Sequence, residues 1–124
     1  SFKMRLSKDA RFNIDGRDLA SPFRNGFTMS FADKQARVGG RNLCKFEPDQ
    51  WYSVCMKVPL GTDPNRKWSF TLTDCQTNQV VGQADDLPLQ NKSWSVLQWI
   101  VFYGAGKLPA TIDIDDFELE NVKD

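Results

Sequence analysis

The sequence predicts an all-β fold, an antiparallel two-sheet β-sandwich with little or no helix. Three observations predict it. Apolar and polar residues alternate with a period of two along most of the chain, as in strands that bury one face. No segment sustains the spacing of three and four residues between apolar positions that an amphipathic helix needs. Of the sixteen acidic residues, thirteen are Asp, which favours turns, and three are Glu, which favours helices.

The first half of the chain consists of strand-like segments separated by turn residues. In "ARVGGRNLCKF", the pair Gly39-Gly40 predicts a tight hairpin, because glycine readily takes the positive φ of a primed turn. Three earlier segments place apolar residues at alternate positions: Phe2, Met4 and Leu6; Ala10, Phe12 and Ile14; and Phe27, Met29 and Phe31.

The second half continues the same pattern. "QWYSVCMKVPL" alternates cleanly, and the segments beginning at Trp68, Val80 and Trp94 also read as strands. We expect the polar stretch 82–93 to be a long surface connection. The whole then has roughly eight to eleven short strands in a single domain, residues 1–124. The residues predicted to be buried are Phe2, Phe12, Ile14, Val54, Met56, Phe70, Leu72, Ile100, Phe102, Ile112 and Phe117.

The last segment, "TIDIDDFELE", breaks the alternation in its middle. Ile112 and Ile114 share one face of a strand, whereas Phe117 falls on the opposite face. Phe117 and Leu119 can face the same core as Ile112 and Ile114 only if the strand pairing skips one residue, and this skip falls at Asp115-Asp116. We therefore predict a β-bulge there that buries Ile112, Ile114, Phe117 and Leu119, since one lost ladder bond costs less than exposing two large apolar side chains.

The amino-acid composition argues against several classes of function. Sixteen basic and sixteen acidic residues cancel, so we expect no nucleic-acid partner. No apolar run is long enough for a membrane helix, so we expect no membrane partner. The chain has no histidine, which excludes Ser-His-Asp and Cys-His catalysis and argues against the usual zinc sites. Its three cysteines show no CxxC spacing, and we expect them to be buried, unreactive thiols.

Four segments follow one another in a familiar order: "WYSVCMKVPL" from Trp51, "WSFTLTDCQTNQVV" from Trp68, "IVF" from Ile100 and "IDIDDFEL" from Ile112. Over roughly residues 51–124 the chain resembles concanavalin A-like and laminin-G-like jelly rolls, and is similar to carbohydrate-binding modules whose last strand reads Asp-Asp-hydrophobic. The resemblance implies a jelly-roll sandwich that binds a glycan or accompanies a polysaccharide-degrading enzyme, in some cases with a structural calcium ion. We expect the chain to be a module of a longer secreted or extracytoplasmic protein with other domains.

The first candidate site is aromatic. "WSVLQWIVFY" is apolar on both faces, so this strand is either covered on both sides or carries an aromatic platform on its outer face. Trp99 and Tyr103 lie two same-face steps apart, roughly 13 Å by strand rise. That separation suits stacking on sugars a few units apart. The alternative is that both rings pack in a second layer.

The second candidate site is basic. Arg11 and Lys57 lie on the polar faces of strands, and Arg37 flanks the glycine hairpin. If these strands align, the cations form a basic sheet face that attracts the carboxylates or sulfates of an anionic polysaccharide. The alternative is an ordinary solvated face.

The third candidate site is the pair Asp115 and Asp116. A bulge aims adjacent side chains in related directions, so the two carboxylates could offer oxygens to Ca²⁺, joined by an acid such as Asp9 or Asp15. One alternative is a structural corner, in which the carboxylates cap backbone amides or pair with cations. Another is a glycosidase-like catalytic site, in which acids alternate along one strand face: Asp113 with Asp115, or Asp116 with Glu118 and Glu120.

Three functions are compatible with the sequence. The leading one is a non-catalytic carbohydrate-binding or accessory module. The second is a fragment of a β-sandwich polysaccharide lyase or glycosidase, and the third is a protein-interaction or structural module.

Overall fold

The computed structural model describes residues 1–104 and 109–121. These residues form two antiparallel five-stranded sheets and no helix, which confirms the all-β sandwich, and none of them belongs to a helix able to cross a membrane. The strands are β1 (Phe2–Leu6), β2 (Phe12–Arg17), β3 (Asn25–Ala32), β4 (Gln35–Val38), β5 (Arg41–Lys45), β6 (Tyr52–Lys57), β7 (Lys67–Asp74), β8 (Val80–Pro88), β9 (Trp99–Gly104) and β10 (Ile112–Asp115).

The first sheet has the strand order β10-β1-β6-β7-β8, and the second has the order β5-β4-β3-β2-β9. This two-sheet arrangement is compatible with a jelly roll. The hairpin predicted at Gly39-Gly40 is confirmed, because β4 and β5 pair on either side of it and Gly39 has a φ of 60°. Glycine adopts such a φ at little cost, whereas other residues adopt it less readily.

The core lies between the two sheets. It consists of the apolar residues that occupy every second position of the predicted strands. Along β1, for example, Phe2, Met4 and Leu6 are buried while Lys3 and Arg5 are exposed. Of the residues predicted to be buried, Phe2, Phe12, Ile14, Val54, Phe70 and Leu72 are buried, and Met56, Ile100, Phe102 and Ile112 are partly buried against the same cluster.

Two glycines let aromatic rings approach the second sheet closely. A Cβ atom on Gly16 would overlap the ring of Phe27, and one on Gly26 would overlap the indole of Trp94. Phe27 in turn contacts Trp68 and Trp94, with ring centroids 5.6 and 6.1 Å away. Both glycines are therefore needed for the packing of this end of the core.

The surface connection predicted at 82–93 is wrong in its first part. Residues up to Pro88 continue β8, and Ala84 and Leu87 of this strand are buried in the core. β8 is an edge strand, so its other side chains can be polar, and the polar composition concealed a strand.

The strand predicted to begin at Trp94 is also shorter than expected. β9 begins at Trp99, and Trp94 belongs to the connection that precedes it. The Trp94 side chain is nevertheless fully buried, and its carbonyl accepts a hydrogen bond from Arg66. The apolar run therefore combines a core anchor in a loop with a short edge strand.

The register break predicted at Asp115-Asp116 is confirmed. Lys3 of β1 lies opposite Asp115, but Ser1 exchanges two backbone hydrogen bonds of 2.8 Å with Glu118. Asp116 and Phe117 therefore share a position opposite a single residue, and Asp116 has a φ of 52°. Two residues facing one is the pattern of a β-bulge.

The burial predicted after this bulge is wrong. Phe117 is 47% exposed and Leu119 is 65% exposed, and Ile114 is 37% exposed. Phe117 does turn toward the core, since its ring meets that of Phe102 edge-on at 5.6 Å. β10 is an edge strand, however, and among the described residues no further strand covers it.

Candidate functional site

The outer face of the second sheet combines aromatic and polar side chains. Phe12 and Ile14 of β2, and Met29 of β3, point into the core, so the residues between them point outward. We call this surface the polar-aromatic face; its residues are Asn13, Asp15, Arg17, Thr28, Ser30, Arg37, Trp99, Val101 and Tyr103.

Strand register arranges these residues in rows across the sheet. Tyr103 lies opposite Asn13, Asn13 lies opposite Ser30, and Ser30 lies opposite Arg37. A second row contains Val101, Asp15 and Thr28, and a third begins with Trp99 and Arg17. We call the first row, Tyr103-Asn13-Ser30-Arg37, the Arg37 row.

Trp99 forms an exposed corner with Phe23, which comes from the loop between β2 and β3. The two rings are 45% and 46% exposed, and their centroids are 6.1 Å apart at an interplanar angle of 71°. The Arg17 guanidinium carbon lies 4.3 Å from the Phe23 centroid and 5.2 Å from the Trp99 centroid. Contacts of this kind between a cation and aromatic rings hold the rings in place.

Arg17 is itself held by hydrogen bonds. Its Nη2 donates to Asp15 Oδ2 at 2.8 Å, and its Nε donates to Asn25 Oδ1 at 3.0 Å. The Asp15 carboxylate is almost completely buried, although it points outward from the sheet. The aromatic corner is thus attached to a fixed cation rather than to a freely moving one.

The loop of residues 18–24 is organised around the buried carboxylate of Asp18. This side chain accepts hydrogen bonds from the backbone amides of Ala20 and Arg24 and from Arg24 Nε. Burial by itself raises the pKa of Asp18, but the hydrogen bonds from Arg24 and Ala20 outweigh it, and the pKa lies below its ordinary value. The charged form of Asp18 therefore fixes the loop that presents Phe23.

Three buried polar atoms of the polar-aromatic face have no hydrogen-bond partner among the described residues: Asp15 Oδ1, Thr28 Oγ1 and Arg37 Nε. Asp15 and Thr28 lie directly opposite each other on β2 and β3. Most buried polar atoms in proteins have a hydrogen-bond partner, so each unpaired one calls for a specific explanation. Trp94 Nε1, buried in the core, is the remaining such side-chain atom in the described part of the chain.

The structure brings together three of the predicted ligand-binding residues and places Lys57 on the other sheet. Trp99, Tyr103 and Arg37 share the polar-aromatic face, and Tyr103 is 38% exposed. Arg11 precedes β2 and forms a 3.5 Å ion pair with Asp33. Lys57 lies on the outward side of β6 in the first sheet, so the predicted basic residues do not form one continuous face.

The pair predicted to bind calcium lies at the bulge near the start of β1. Asp115 Oδ1 accepts a hydrogen bond from the Asp116 amide, and Asp116 Oδ2 lies 3.0 Å from Lys3 Nζ. The hydrogen bond to Asp116 raises the pKa of Lys3, and the Lys3 ammonium would compete with a metal cation for this carboxylate. In the described ranges, no cluster of three or more candidate metal ligands occurs. Calcium binding here stays a prediction.

Sequence reasoning missed Arg17, Phe23 and Asp15 as parts of the site. Arg17 and Asp15 have the same parity as Asn13, so the alternation of β2 does place them outward. Phe23 lies in a loop, where periodicity carries no information about its neighbours. Only the fold of residues 18–24 brings it against Trp99.

The sequence matches no protein-family model, and no curated protein or solved structure shows significant similarity to it. The fold and the polar-aromatic face therefore define the chain as a β-sandwich with an exposed aromatic and polar surface on one sheet.

Proposed function

We propose that this chain is a non-catalytic carbohydrate-binding module, carried by a larger exported protein, and that its glycan lies on the polar-aromatic face. The observation that carries the proposal is the exposure of Trp99 and Tyr103 on the same outer face of β9, beside a row of polar side chains. The resemblance to carbohydrate-binding jelly rolls agrees with this proposal.

The chemistry of the face suits a sugar. A pyranose ring has an apolar face of C–H bonds, which packs on an aromatic ring, and a rim of hydroxyl groups, which needs hydrogen-bond partners. Trp99 and Phe23 offer two neighbouring rings at a large angle, so a sugar stacked on one ring would lie close to the other. Asn13 and Ser30 offer amide and hydroxyl groups one and two strands away from Tyr103.

Rigidity favours binding as well. Arg17 and the hydrogen bonds of Asp18 hold the aromatic corner before any ligand arrives. A side chain that is already fixed loses less conformational entropy when a ligand binds, so more of the contact energy remains as affinity.

The test is a glycan-array screen of the wild-type protein, followed by calorimetric titration of the glycans that bind. Trp99→Ala or Tyr103→Ala should weaken binding by about tenfold or more, because an aromatic side chain that a ligand covers contributes strongly to the binding energy. Trp51→Ala is the matched control, since Trp51 is half-buried beside Arg5 of the first sheet, away from the polar-aromatic face. No loss in either Trp99→Ala or Tyr103→Ala, or an equal loss in Trp51→Ala, would contradict the proposed location.

A further inference from the structure

Arg37 differs from the other arginines of this chain. The guanidinium groups of Arg5, Arg11, Arg17, Arg24 and Arg41 pair with aspartates, and that of Arg66 donates to backbone carbonyls. Among the described residues, Arg37 has no ion-pair partner and no hydrogen-bond acceptor, and its Nε is buried. A buried guanidinium N–H that is left without an acceptor is energetically unfavourable, because the hydration it loses is not replaced.

From this we infer that Arg37 binds the carboxylate or sulfate group of an anionic oligosaccharide that crosses the strands along the Arg37 row, with a sugar ring stacked on Tyr103. The inference rests on the proposed function and adds to it the charge of the ligand, its direction and the residue that selects it.

The geometry of the row supports this direction. Tyr103, Asn13, Ser30 and Arg37 belong to β9, β2, β3 and β4, which are consecutive neighbours in the second sheet. Three steps between strands span roughly 14 Å. An oligosaccharide of a few units covers that distance, and the two small polar side chains between its ends leave room for its rings while offering hydrogen bonds to its hydroxyls.

The chemistry of Arg37 selects an anion. A guanidinium presents two parallel N–H groups to a carboxylate or sulfate, and such charge-assisted bonds are stronger than bonds between neutral groups. The burial of Nε limits the approach of water, which strengthens the attraction to a bound anion. The acidic member of the polar-aromatic face, Asp15, does not neutralise Arg37, because it is paired with Arg17.

The test compares ligands that share a backbone and differ in charge. Oligogalacturonate is compared with its methyl ester, and dextran sulfate is compared with dextran, alongside a glycan array of neutral and acidic sugars. Wild-type protein should bind acidic glycans only. Binding to oligogalacturonate would identify a carboxylate ligand, and binding to dextran sulfate would identify a sulfate ligand. Arg37→Gln should weaken acidic binding by about tenfold or more, the value of one charge-assisted interaction.

Lys57→Ala is the matched control, because it removes one positive charge from the outer face of the other sheet. It should leave the affinity unchanged apart from a weak effect at low salt. Tyr103→Ala should weaken acidic binding as Arg37→Gln does, and the double variant should lose both contributions.

Three outcomes would overturn the inference. If wild-type protein binds neutral glycans only, or binds acidic glycans equally well after Arg37→Gln, then Arg37 does not select the ligand, and the proposed function stands without it. If Lys57→Ala and Arg37→Gln weaken binding equally, the attraction is a general effect of charge. If wild-type protein binds no glycan on the array, the proposed function falls and the inference falls with it.

Discussion

Replacing Arg37 by methionine should not lower the free energy of unfolding, and should raise it by about 1 kcal/mol. The guanidinium has no partner among the described residues and a buried N–H without an acceptor destabilises the folded state by about 1–3 kcal/mol. Methionine keeps most of the aliphatic stem that packs on the sheet and removes the unpaired donor. For a domain of this size, 1 kcal/mol corresponds to a rise in Tm of about 4 °C.

The matched variant is Arg17→Met on the same face, for which we expect the opposite sign. Arg17 Nη2 lies 2.8 Å from Asp15 Oδ2, and the Asp15 side chain is only 2% exposed. Asp15 Oδ1 already lacks a partner among the described residues, so the substitution would leave a buried carboxylate with no cation and one fewer hydrogen bond. Removing one member of a buried ion pair costs about 3–5 kcal/mol.

Urea denaturation followed by tryptophan fluorescence, with thermal scans by circular dichroism, would measure both variants. The chain contains four tryptophans, two of them in the core, so unfolding should change the emission strongly. A loss of more than about 1 kcal/mol in Arg37→Met would refute the reasoning, because a typical net hydrogen bond contributes that much and Arg37 would then have a partner in the protein.

Three further predictions concern stability. Phe70→Ala should cost about 3–5 kcal/mol in urea denaturation, whereas Phe117→Ala should cost less than about 1.5 kcal/mol because this ring is already half-exposed; equal losses would mean that β10 is covered. A calcium site at Asp115 and Asp116 predicts that Ca²⁺ raises the Tm of the wild-type protein but not of Asp115→Asn; a Tm that EDTA leaves unchanged would make the corner purely structural. Asp18 has a lowered pKa in the folded state, so its contribution to stability is complete above about pH 5 and is lost as the pH falls through the unfolded and then the folded pKa. The difference in Tm between wild type and Asp18→Asn should therefore be constant from neutral pH to about pH 5 and shrink at lower pH, and a difference independent of pH would contradict this assignment.

Much of the fold was predictable because it depends on short-range pattern. In β1, β3, β6 and β7 the alternation assigns each side chain to a face without knowledge of neighbouring strands, and the buried positions agree. The break at Asp115-Asp116 was predictable for the same reason, since two apolar pairs of opposite parity lie within one short segment. The alternation of β9 likewise placed Trp99 and Tyr103 on one face.

The solvent exposure of a side chain on the core face was not predictable, because it depends on whether its strand lies at the edge or in the middle of the sheet. Phe117 has the parity of a core residue but belongs to the bulge beside an edge strand, so it remains half-exposed. β8 is also an edge strand, and most of its side chains are exposed to water. Its composition is therefore polar, and the sequence did not identify it as a strand along its whole length.

The strand character of the chain and the face on which most side chains lie follow from the sequence alone, because both depend on the two-residue alternation within a single strand. Which strands are neighbours depends on tertiary contacts. These contacts place Arg37 in one row with Tyr103, and they place Lys57 on the other sheet. Tertiary contacts also pack Phe23 against Trp99, and they bury Trp94 in the core, although Phe23 and Trp94 both lie in connecting segments. These placements depend on contacts between residues far apart in the chain, and the period of a single strand carries no information about its partner.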